Sequence, residues 1–317
     1  MKILVSGGAG FIGSHIVDGY IQAGHQVVVV DDLSSGKKDH LNPGAIFVQT
    51  DITDRPAVDK IFNEHSPFDL VNHHAAQKSV THSVAEPLKD AHINIIGGLN
   101  LLEAMRQHKV KKIIFASTGG ALYGDGIPVP TPEDTPIAPA SPYGIAKYAL
   151  ENYLRFYEKT IGIKAAILRY ANVYGPRQDP HGEAGVIAIF CQKILADEPL
   201  VIFGDGEQTR DFIYVEDIVS ANLAASLPNI TGIWNIGAGR EISINKLAQL
   251  LITHNQTNCL QPPTIYPIAR EAARLGELRR SALDATKAQK ELSWQSKTGL
   301  ADGLKKTMDD FRDIKQT

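Results

Sequence analysis

A cluster of glycines near the start of the chain constrains its fold more than any other feature. In the segment Gly7-Gly8-Ala9-Gly10-Phe11-Ile12-Gly13, glycines follow a short apolar run and precede a segment with the apolar spacing of a helix. Glycines let a pyrophosphate approach the backbone closely, and the free amides at a helix N-terminus bind it. The order strand, glycine turn, helix therefore predicts the first βαβ unit of a dinucleotide-binding fold.

Short apolar segments alternate with helical patterns through the first half of the chain, which is typical of a doubly wound parallel sheet. We predict strands over residues 2–6, 26–30, 45–49, 69–73, 112–117 and 164–169, and helices over 11–23, 55–64, 88–108 and 143–160. After residue 169 the pattern loosens. There we predict a helix over 185–196, short strands over 200–203 and 234–236, and a final helix over 300–312.

These elements predict an α/β protein with two domains. A Rossmann-type domain with a doubly wound parallel sheet would span residues 1–169. A smaller C-terminal α/β domain that binds the substrate would span residues 170–317, with some segments returning to the first domain.

The overall charge and the cysteine content exclude several classes of protein. The 317 residues carry a net charge of -3, which gives no electrostatic reason to expect nucleic acid or a membrane as partner. Cys191 and Cys259 are far apart in sequence, so a disulfide framework is not suggested. No apolar run is long enough to span a bilayer, and the opening Ile3-Leu4-Val5 is too short for a signal peptide. We therefore expect a cytoplasmic protein.

The predicted strand ends carry the candidate cofactor ligands, because ligands of open α/β sheets bind there. Asp31 ends the second strand at the spacing expected of an acid that binds ribose hydroxyls, and Asp32 is the alternative. Such a carboxylate repels a 2′-phosphate and favours NAD over NADP. For Asn94, which lies inside a predicted helix, solvent exposure is nearly as good an explanation as cofactor contact. The candidates are Gly7, Gly10, Phe11, Ile12, Gly13, Asp31, Asp32, Asp51, Ile52, Ala75, Ala76, Gln77, Lys78 and Asn94.

Tyr143 and Lys147 lie four residues apart in a predicted helix, so their side chains share one face. A free tyrosine has a pKa of about 10, and acting as a base at pH 7 needs a shift of about 3 units, roughly 4 kcal/mol. One positive charge at ~4 Å in an effective dielectric constant of ~20 supplies about that much. Alone, such a pair is common on helix surfaces. Together with the glycine turn, it predicts a site where Tyr143 is the base and Lys147 lowers its pKa.

Six prolines lie between Tyr123 and Tyr143. Proline fixes φ and lacks a backbone donor, so we predict an extended, ordered connection here. Pro142 suits the first turn of the helix that carries Tyr143. The connection is either a simple linker or a rim that positions this helix.

Several longer motifs point to one family. They are Gly-Gly-Ala-Gly-Phe-Ile-Gly-Ser-His from Gly7, Asp-Asp-Leu-Ser-Ser-Gly from Asp31, Ala-Ser-Thr-Gly-Gly-Ala-Leu-Tyr-Gly from Ala116, Arg-Tyr-Ala-Asn-Val-Tyr-Gly-Pro-Arg from Arg169, Gly-Glu-Gln-Thr-Arg-Asp-Phe from Gly206 and Arg-Leu-Gly-Glu from Arg274. Over nearly its whole length the chain resembles the extended short-chain dehydrogenase/reductases, and within them the nucleotide-sugar 4-epimerases. The glycine and Tyr-Lys motifs are shared by many oxidoreductases, whereas the later motifs are specific to the sugar-nucleotide branch.

The resemblance implies a tightly held NAD and the 4-epimerisation of a UDP-hexose, such as UDP-glucose or UDP-galactose, through a transient 4-keto sugar. It implies that Tyr143 removes the proton of the sugar 4-hydroxyl. Lys147 would lower the pKa of that tyrosine and bind the nicotinamide ribose, so both residues also count as cofactor ligands. A serine or threonine after the fifth strand would hydrogen-bond the 4-hydroxyl, and we expect Thr118 in this role, with Ser117 as the second choice.

Alternative reactions remain open. Gly119 and Gly120 follow Thr118, and this segment is one residue longer than in many relatives, which leaves the register of the hydroxyl open. A sugar-nucleotide 4,6-dehydratase needs an Asp-Glu pair at that point, so it is a minor alternative. Epimerisation of UDP-N-acetylglucosamine or UDP-glucuronate is the main alternative. A cofactor-sensing regulator of this fold typically lacks the tyrosine or the lysine, and an alcohol dehydrogenase would release NADH.

The resemblance also implies how the substrate is held. Arg210 and Arg274 would bind the diphosphate, because guanidinium groups suit phosphate oxygens, and Asn172 would contact the substrate at the domain junction. Ser281 falls where relatives place a residue that limits sugar size, so a serine predicts room for an N-acetyl group. The helices over 88–108 and 143–160 imply a homodimer through a four-helix bundle, although core packing would also use their apolar surface.

No metal site is predicted. His73 and His74 are adjacent on a predicted strand, so their side chains point to opposite faces and do not easily share a metal. No other group of histidines, cysteines or carboxylates has ligand spacing.

Overall fold

The computed structural model describes residues 1–181, 185–257, 266–273 and 277–316. Its strands are β1 (Lys2–Ser6), β2 (Gln26–Asp31), β3 (Ile46–Gln49), β4 (Leu70–His73), β5 (Lys112–Thr118), β6 (Lys164–Tyr170), β7 (Asn172–Tyr174), β8 (Leu200–Phe203), β9 (Thr209–Tyr214), β10 (Gly232–Ile236), β11 (Glu241–Ser243) and β12 (Ile268–Glu271). Its helices are α1 (Phe11–Gln22), α2 (Arg55–His65), α3 (Val80–Ala85), α4 (Pro87–Ala91), α5 (Gly97–Gln107), α6 (Pro142–Ile161), α7 (Val186–Leu195), α8 (Val215–Ala225), α9 (Ile244–Thr257), α10 (Thr286–Leu292) and α11 (Leu300–Gln316). Within these ranges, no helix combines the length and the apolar character needed to cross a membrane.

Seven strands form one parallel sheet in the order β10-β6-β5-β4-β1-β2-β3. The chain moves outward from β1 to β3 on one side and from β4 to β6 on the other, so the order reverses between β1 and β4. In doubly wound sheets, ligands bind at the carboxyl ends of the strands that flank this reversal. The predicted fold class, an α/β protein with a doubly wound parallel sheet, is confirmed.

The strand predicted over residues 234–236 lies in the large sheet and not in either of the small sheets. It is part of β10, which pairs in parallel with β6 at the edge of the large sheet. Trp234 in this strand is among the largest fully buried side chains, so burial of its indole holds the strand there. Two small sheets, β11-β9-β7 and β12-β8, contain the other late strands.

Three clusters of buried apolar side chains occur in the described ranges. One lies on each face of the large sheet, which explains the continuous apolar strands such as β2. The third joins α7, α9 and α11 to strands of the small sheets. The two small sheets are therefore held by their own core.

The helix predicted over residues 88–108 is present as one continuous stretch, in which a π-helical turn (His92–Ile96) joins α4 to α5. A further short helix, α3, precedes it, and the Ser79 hydroxyl caps α3 by accepting from the His82 N–H at 2.8 Å. α4 begins at Pro87, a position where proline is favoured because its missing N–H is not needed. The π-helical turn carries Asn94, which is 2% exposed and faces the protein interior.

α6 and the proline-rich connection are ordered as predicted. The Ser141 hydroxyl caps α6 by accepting from the Gly144 N–H at 3.2 Å, and Pro142 occupies the first turn. Within the connection, the Thr131 N–H donates to the carbonyl of Ala282 at 2.8 Å. The connection therefore links the start of α6 to the chain segment that contains Ser281.

Candidate active site

The glycine turn between β1 and α1 forms a tight backbone cradle where the strand order reverses. Gly7 has a φ of +74°, and a Cβ there would lie 2.5 Å from the backbone nitrogen of Ala75. A Cβ on Gly13 would lie 2.0 Å from the carbonyl oxygen of Gly7. No described side chain caps the first turn of α1, so its amides can bind an anionic ligand. The predicted ligands from this turn lie together here: Gly7, Gly10, Phe11, Ile12 and Gly13.

The two aspartates after β2 have different surroundings. Asp31 is buried, and its carboxylate accepts from the N–H groups of Ala9 at 3.0 Å and Leu33 at 2.9 Å. Burial raises the pKa of this carboxyl, while these two bonds lower it. Asp32 is exposed and accepts from the N–H and the hydroxyl of Ser34. Asp31 is therefore the acid that contacts the glycine turn.

Asp51 and Ile52 lie beyond the end of β3. Asp51 is exposed and accepts from the N–H of Thr53 at 2.8 Å. Ile52 is buried, and its carbonyl accepts from the side chain of Asn100 at 2.9 Å. A Cβ on Gly97 would lie 2.7 Å from the Ile52 side chain, so glycine lets α5 pack closely against Ile52.

The loop after β4 is fixed to the π-helical turn. Asn94 accepts from the backbone N–H of Gln77 at 3.0 Å and donates to its carbonyl at 3.0 Å. Because Asn94 is buried and fully used in this way, its interpretation as a solvent-exposed residue is wrong. The Gln77 side chain also donates to Asp90 at 2.8 Å. These contacts hold residues 75–78 at the strand ends, with the side chain of Lys78 exposed.

Tyr143, at the start of α6, lies beside the end of β5. Burial raises the pKa of its phenol to about 12, the carboxylate of Asp90 acts in the same direction, and a hydrogen bond with Thr118 lowers it. Lys147 does not produce the lowering expected from the sequence. Its Nζ lies 6.0 Å from the centroid of the Tyr143 ring, and burial of the phenol sets the direction of the shift.

Lys147 is buried on the same face of α6. Its Nζ donates to the carbonyl oxygen of Ala116 at 2.9 Å and lies 4.8 Å from the centroid of the Phe115 ring. Burial lowers the pKa of the lysine to about 8, while the carboxylates of Asp90 and Glu151 raise it. The ammonium therefore still carries its charge at neutral pH.

Ser117 and Thr118 point to different places, because successive side chains of a strand alternate between its faces. Thr118 reaches the phenol, whereas the Ser117 hydroxyl donates to Glu151 at 2.6 Å. Glu151 also forms a two-pronged ion pair with Arg169, at 2.6 and 3.0 Å. Both charged side chains are almost fully buried, so Ser117 belongs to an internal network.

Arg210 and Asn172 lie on neighbouring strands of the small sheet β11-β9-β7. Arg210 donates to the carbonyl oxygens of Thr209 and Leu278 at 2.8 Å each, and it pairs with Glu277 at 2.9 Å. Asn172 is exposed at the start of β7. The predicted diphosphate ligand Arg274 lies outside the described residues.

Ser281 lies beside the turn that follows β5. A Cβ on Gly120 would lie 3.9 Å from the Ser281 hydroxyl oxygen, and no other described atom would be as close. Two small residues therefore face each other next to Thr118, with space around them.

His73 and His74 point to opposite faces of the sheet and have different partners. The Nδ1 of His73 hydrogen-bonds with the Ser6 hydroxyl at 2.7 Å, and the Nε2 of His74 with the Tyr170 hydroxyl at 3.1 Å. Burial lowers both pKa values, that of His74 to about 3. Among the described residues, no group of three or more histidines, cysteines and carboxylates is placed to hold a metal ion.

Asp90 and Glu151, two carboxylates that act on Lys147, are not among the residues predicted from the sequence. Asp90 precedes Asn94 by four residues, and Glu151 follows Lys147 by four. This spacing places side chains on one face of a helix, and it is the signal that could have found them.

Comparison with known proteins gives consistent matches. The model of the NAD dependent epimerase/dehydratase family matches residues 3–237. A UDP-glucose 4-epimerase of Mycolicibacterium smegmatis is 42% identical over 322 residues, covering 100% of both chains. The structure of UDP-glucose 4-epimerase from Thermotoga maritima with UDP-glucose has a TM-score of 0.93 and 50% identity, covering 99% of each chain. The UDP-glucose 4-epimerase of Thermus thermophilus in complex with NAD has a TM-score of 0.91 and 41% identity, covering 98% of this chain and 99% of that one.

Proposed function

The chain belongs to the NAD-dependent epimerase/dehydratase family, and from this premise we propose that it catalyses the 4-epimerisation of a UDP-hexose. It interconverts UDP-glucose and UDP-galactose through a 4-keto sugar, with NAD as cofactor, and so acts as an isomerase. The observation that carries the proposal is the Tyr143 phenol hydrogen-bonded to Thr118, with the charged Lys147 buried beside them. Thr118 ends β5 and the glycine cradle follows β1, so both lie at the carboxyl ends of strands in the same parallel sheet.

The residues of the crevice fit NAD. The cradle at Gly7 and Gly13 leaves no room for a Cβ, as expected where a pyrophosphate approaches the backbone. Asp31 is proposed to bind the adenosine ribose, and the loop over 75–78 to line the nicotinamide half. When bound, NAD supplies a reversible hydride acceptor for C4 of the sugar.

Tyr143 is proposed to take the proton of the sugar 4-hydroxyl and to return it to the same oxygen after the keto sugar has turned over. Thr118 is proposed to hydrogen-bond that oxygen, which orients it towards the phenol. Lys147, charged at neutral pH, is proposed to stabilise the phenolate and to bind the nicotinamide ribose. Ser117 has no contact with substrate in this proposal.

The nucleotide half of the substrate must stay bound while the keto sugar rotates. We propose that Arg210 and Arg274 bind the diphosphate and that Asn172 contacts the substrate. Arg210 and Asn172 lie on the paired strands β9 and β7 of one small sheet, which supports this proposal because the sheet keeps the two side chains at a fixed separation. The division into a cofactor domain over residues 1–169 and a substrate domain over 170–317, with β10 returning to the first, belongs to the same proposal.

UDP-N-acetylglucosamine is a second candidate substrate. The space around Gly120 and Ser281 favours it, since two small residues leave room for an acetamido group. We infer that the enzyme accepts both kinds of sugar. No comparable observation favours UDP-glucuronate or dehydration.

A homodimer is also proposed. Apolar side chains remain exposed on α3, α4, the π-helical turn and α6, and helices α3 and α4 pack directly on α6. They are Val80, Val84, Leu88, Ile96, Ile145, Tyr153 and Phe156. Exposed apolar side chains grouped on packed helices are typical of an interaction surface. Phe156→Glu should give a monomer by light scattering. Leu227→Glu, at an exposed residue outside these helices, should leave the dimer intact. An unchanged mass for Phe156→Glu contradicts the assignment.

We also propose that the enzyme acts in the cytoplasm, in galactose metabolism.

The decisive experiment uses purified protein without added NAD. UDP-glucose, UDP-N-acetylglucosamine and UDP-glucuronate are incubated separately, and products are identified by NMR. We expect the 4-epimers of the first two and no lasting rise in NADH absorbance. Tyr143→Phe should lose activity by at least about 100-fold, and Tyr148→Phe, one position beyond Lys147 on α6, should not. Near-normal turnover by Tyr143→Phe, or steady NADH release by the wild type, would refute the mechanism.

A further inference from the structure

Asp90, on α4, is a buried carboxylate beside the catalytic pair. It is 0% exposed, so its charge has no contact with solvent. Its Oδ1 accepts from the side-chain amides of Gln77 at 2.8 Å and Asn94 at 3.0 Å. Its Oδ2, also buried, has no hydrogen-bond partner among the described residues. Both donors are neutral, and a buried carboxylate is stable only if a positive charge lies near.

That positive charge comes from α6. α4 packs directly on α6. Burial raises the pKa of the Asp90 carboxyl, whereas the hydrogen bonds from Gln77 and Asn94 and the charge of Lys147 on α6 lower it. Glu151 is the other carboxylate that acts on Lys147, but it is already paired with Arg169 at 2.6 Å. The charge of Asp90 is therefore the one left to balance the buried lysine.

We propose that Asp90 is the buried counter-charge of the Tyr143–Lys147 pair and a positioning residue for its proton transfer. The inference rests on the proposed epimerase function and deepens it. Through Gln77 and Asn94 the same carboxylate also anchors the loop over residues 75–78. The Asp90 carboxylate thus acts both on the loop over residues 75–78 and on the Tyr143–Lys147 pair.

The charge has two effects of known sign. It raises the pKa of Lys147 against the lowering by burial, so the lysine keeps its proton. It also raises the pKa of Tyr143, so the phenol holds its proton more tightly. The active form needs a deprotonated Tyr143 and a protonated Lys147, so Asp90 moves both limits of the pH profile upward.

The other titratable groups near the pair cannot produce the same effect. Lys147 acts electrostatically on His73, at the end of β4, and on His74, directly after it, but burial lowers both pKa values and both side chains are neutral at pH 7. Glu151 is paired as described. His82 is exposed in part and pairs with Glu86 at 2.8 Å.

Asp90→Asn separates the charge from the hydrogen bonds. Both donors bind Oδ1, so the asparagine carbonyl can keep both bonds, and only the unpartnered Oδ2 becomes an amide NH2. Without the negative charge, both pKa values fall. The acid and alkaline limbs of the kcat profile should therefore both move to lower pH, by about one unit. Limbs that stay in place, or move to higher pH, would overturn the proposal.

Two variants control for a merely structural role. Glu86→Gln removes an exposed carboxylate four residues before Asp90, one that contacts His82 and Lys89, and should not move the limbs. Asp90→Glu keeps the charge and should leave both limbs in place even if kcat falls. A structural role would lower kcat at every pH for Asp90→Asn without moving either limb. Should Asp90→Asn fail to fold, Asp90→Ser gives the same test with a smaller side chain.

A second readout does not depend on turnover. The ultraviolet absorbance of phenolate is titrated in the purified protein, and the Tyr143→Phe titration is subtracted to isolate one residue. Tyr143 should titrate at lower pH in Asp90→Asn, and an unchanged midpoint contradicts the proposal. If the wild type does not epimerise but this midpoint shifts, the proposed function fails and the counter-charge stands. If the wild type epimerises while limbs and midpoint stay unmoved, only the counter-charge fails.

Discussion

Replacing Arg169 with methionine tests the buried ion pair behind the active site. The guanidinium contacts both carboxylate oxygens of Glu151, at 2.6 and 3.0 Å, and donates to the Tyr123 hydroxyl at 2.8 Å. Methionine is apolar and of comparable length, so it fills much of the space but leaves Glu151 as an unpaired buried charge. Removing one partner of a buried pair destabilises a protein by about 3–5 kcal/mol, because the remaining charge cannot regain its hydration.

A double variant shows how much of that loss comes from the orphaned charge. Arg169→Met with Glu151→Leu removes both charges, and apolar replacement of a whole buried pair is often neutral. The Tyr123 hydroxyl keeps its bond to Asn235 at 2.8 Å, so the Ser117 hydroxyl is the main group left without a partner. An unsatisfied buried group costs about 1–3 kcal/mol. The double variant should therefore be more stable than Arg169→Met by roughly 2 kcal/mol.

The assay is equilibrium unfolding in urea, followed by tryptophan fluorescence, with the same saturating NAD in every sample because a bound ligand adds to stability. Lys306→Met is the control. It breaks the exposed pair of Lys306 with Glu216, 3.0 Å apart, and should change stability by no more than about 1 kcal/mol. A loss of less than about 1 kcal/mol in the unfolding free energy of Arg169→Met would contradict this prediction. A double variant less stable than both Arg169→Met and Lys306→Met would also contradict it.

Further predictions concern the glycine cradle, the buried histidine and the sugar site. Gly13→Ala places a Cβ 2.0 Å from the carbonyl oxygen of Gly7, so the purified variant should carry no NAD when its denatured extract is analysed by chromatography. Gly299→Ala is the control and should retain NAD, because its Cβ would lie 3.4 Å from its nearest contact, the Asp302 carboxylate. His74 has a pKa of about 3 when folded against an ordinary 6.5, so the stability it contributes is complete above about pH 6.5 and is lost as the pH falls towards 3. The melting temperature of His74→Leu should therefore fall less between pH 7 and pH 5 than that of the wild type. An equal fall in both proteins would refute this. Ser281→Tyr should lower kcat/KM for UDP-N-acetylglucosamine at least about 10-fold and that for UDP-glucose less than about 3-fold; parallel losses would remove the residue from sugar selection.

The strands and the glycine turn could be predicted because their signals are local. A strand covered on both faces is a continuous apolar run, as in β2, and its ends fall within a residue or two of the predicted ones. The neighbour of a strand in a sheet is not local information. β10 is an example, because its short apolar sequence does not indicate that Trp234 packs into the core of the large sheet. Likewise, the π-helical turn around Asn94 depends on the contacts of that side chain with Gln77 and Asp90.

The site divides in the same way, between residue identity and environment. The helical spacing predicted that Tyr143 and Lys147 share a face, and it holds because i and i+4 positions do so in any helix. The direction of the tyrosine pKa shift could not be obtained from spacing, since burial of the phenol and the charge of Asp90 both raise it. The Nζ of Lys147 instead donates to the Ala116 carbonyl. In our proposal, the pair predicted from the sequence is therefore part of a system of three titratable groups. Its third member lies more than fifty residues away in the chain, on a helix that becomes a neighbour of α6 only through folding.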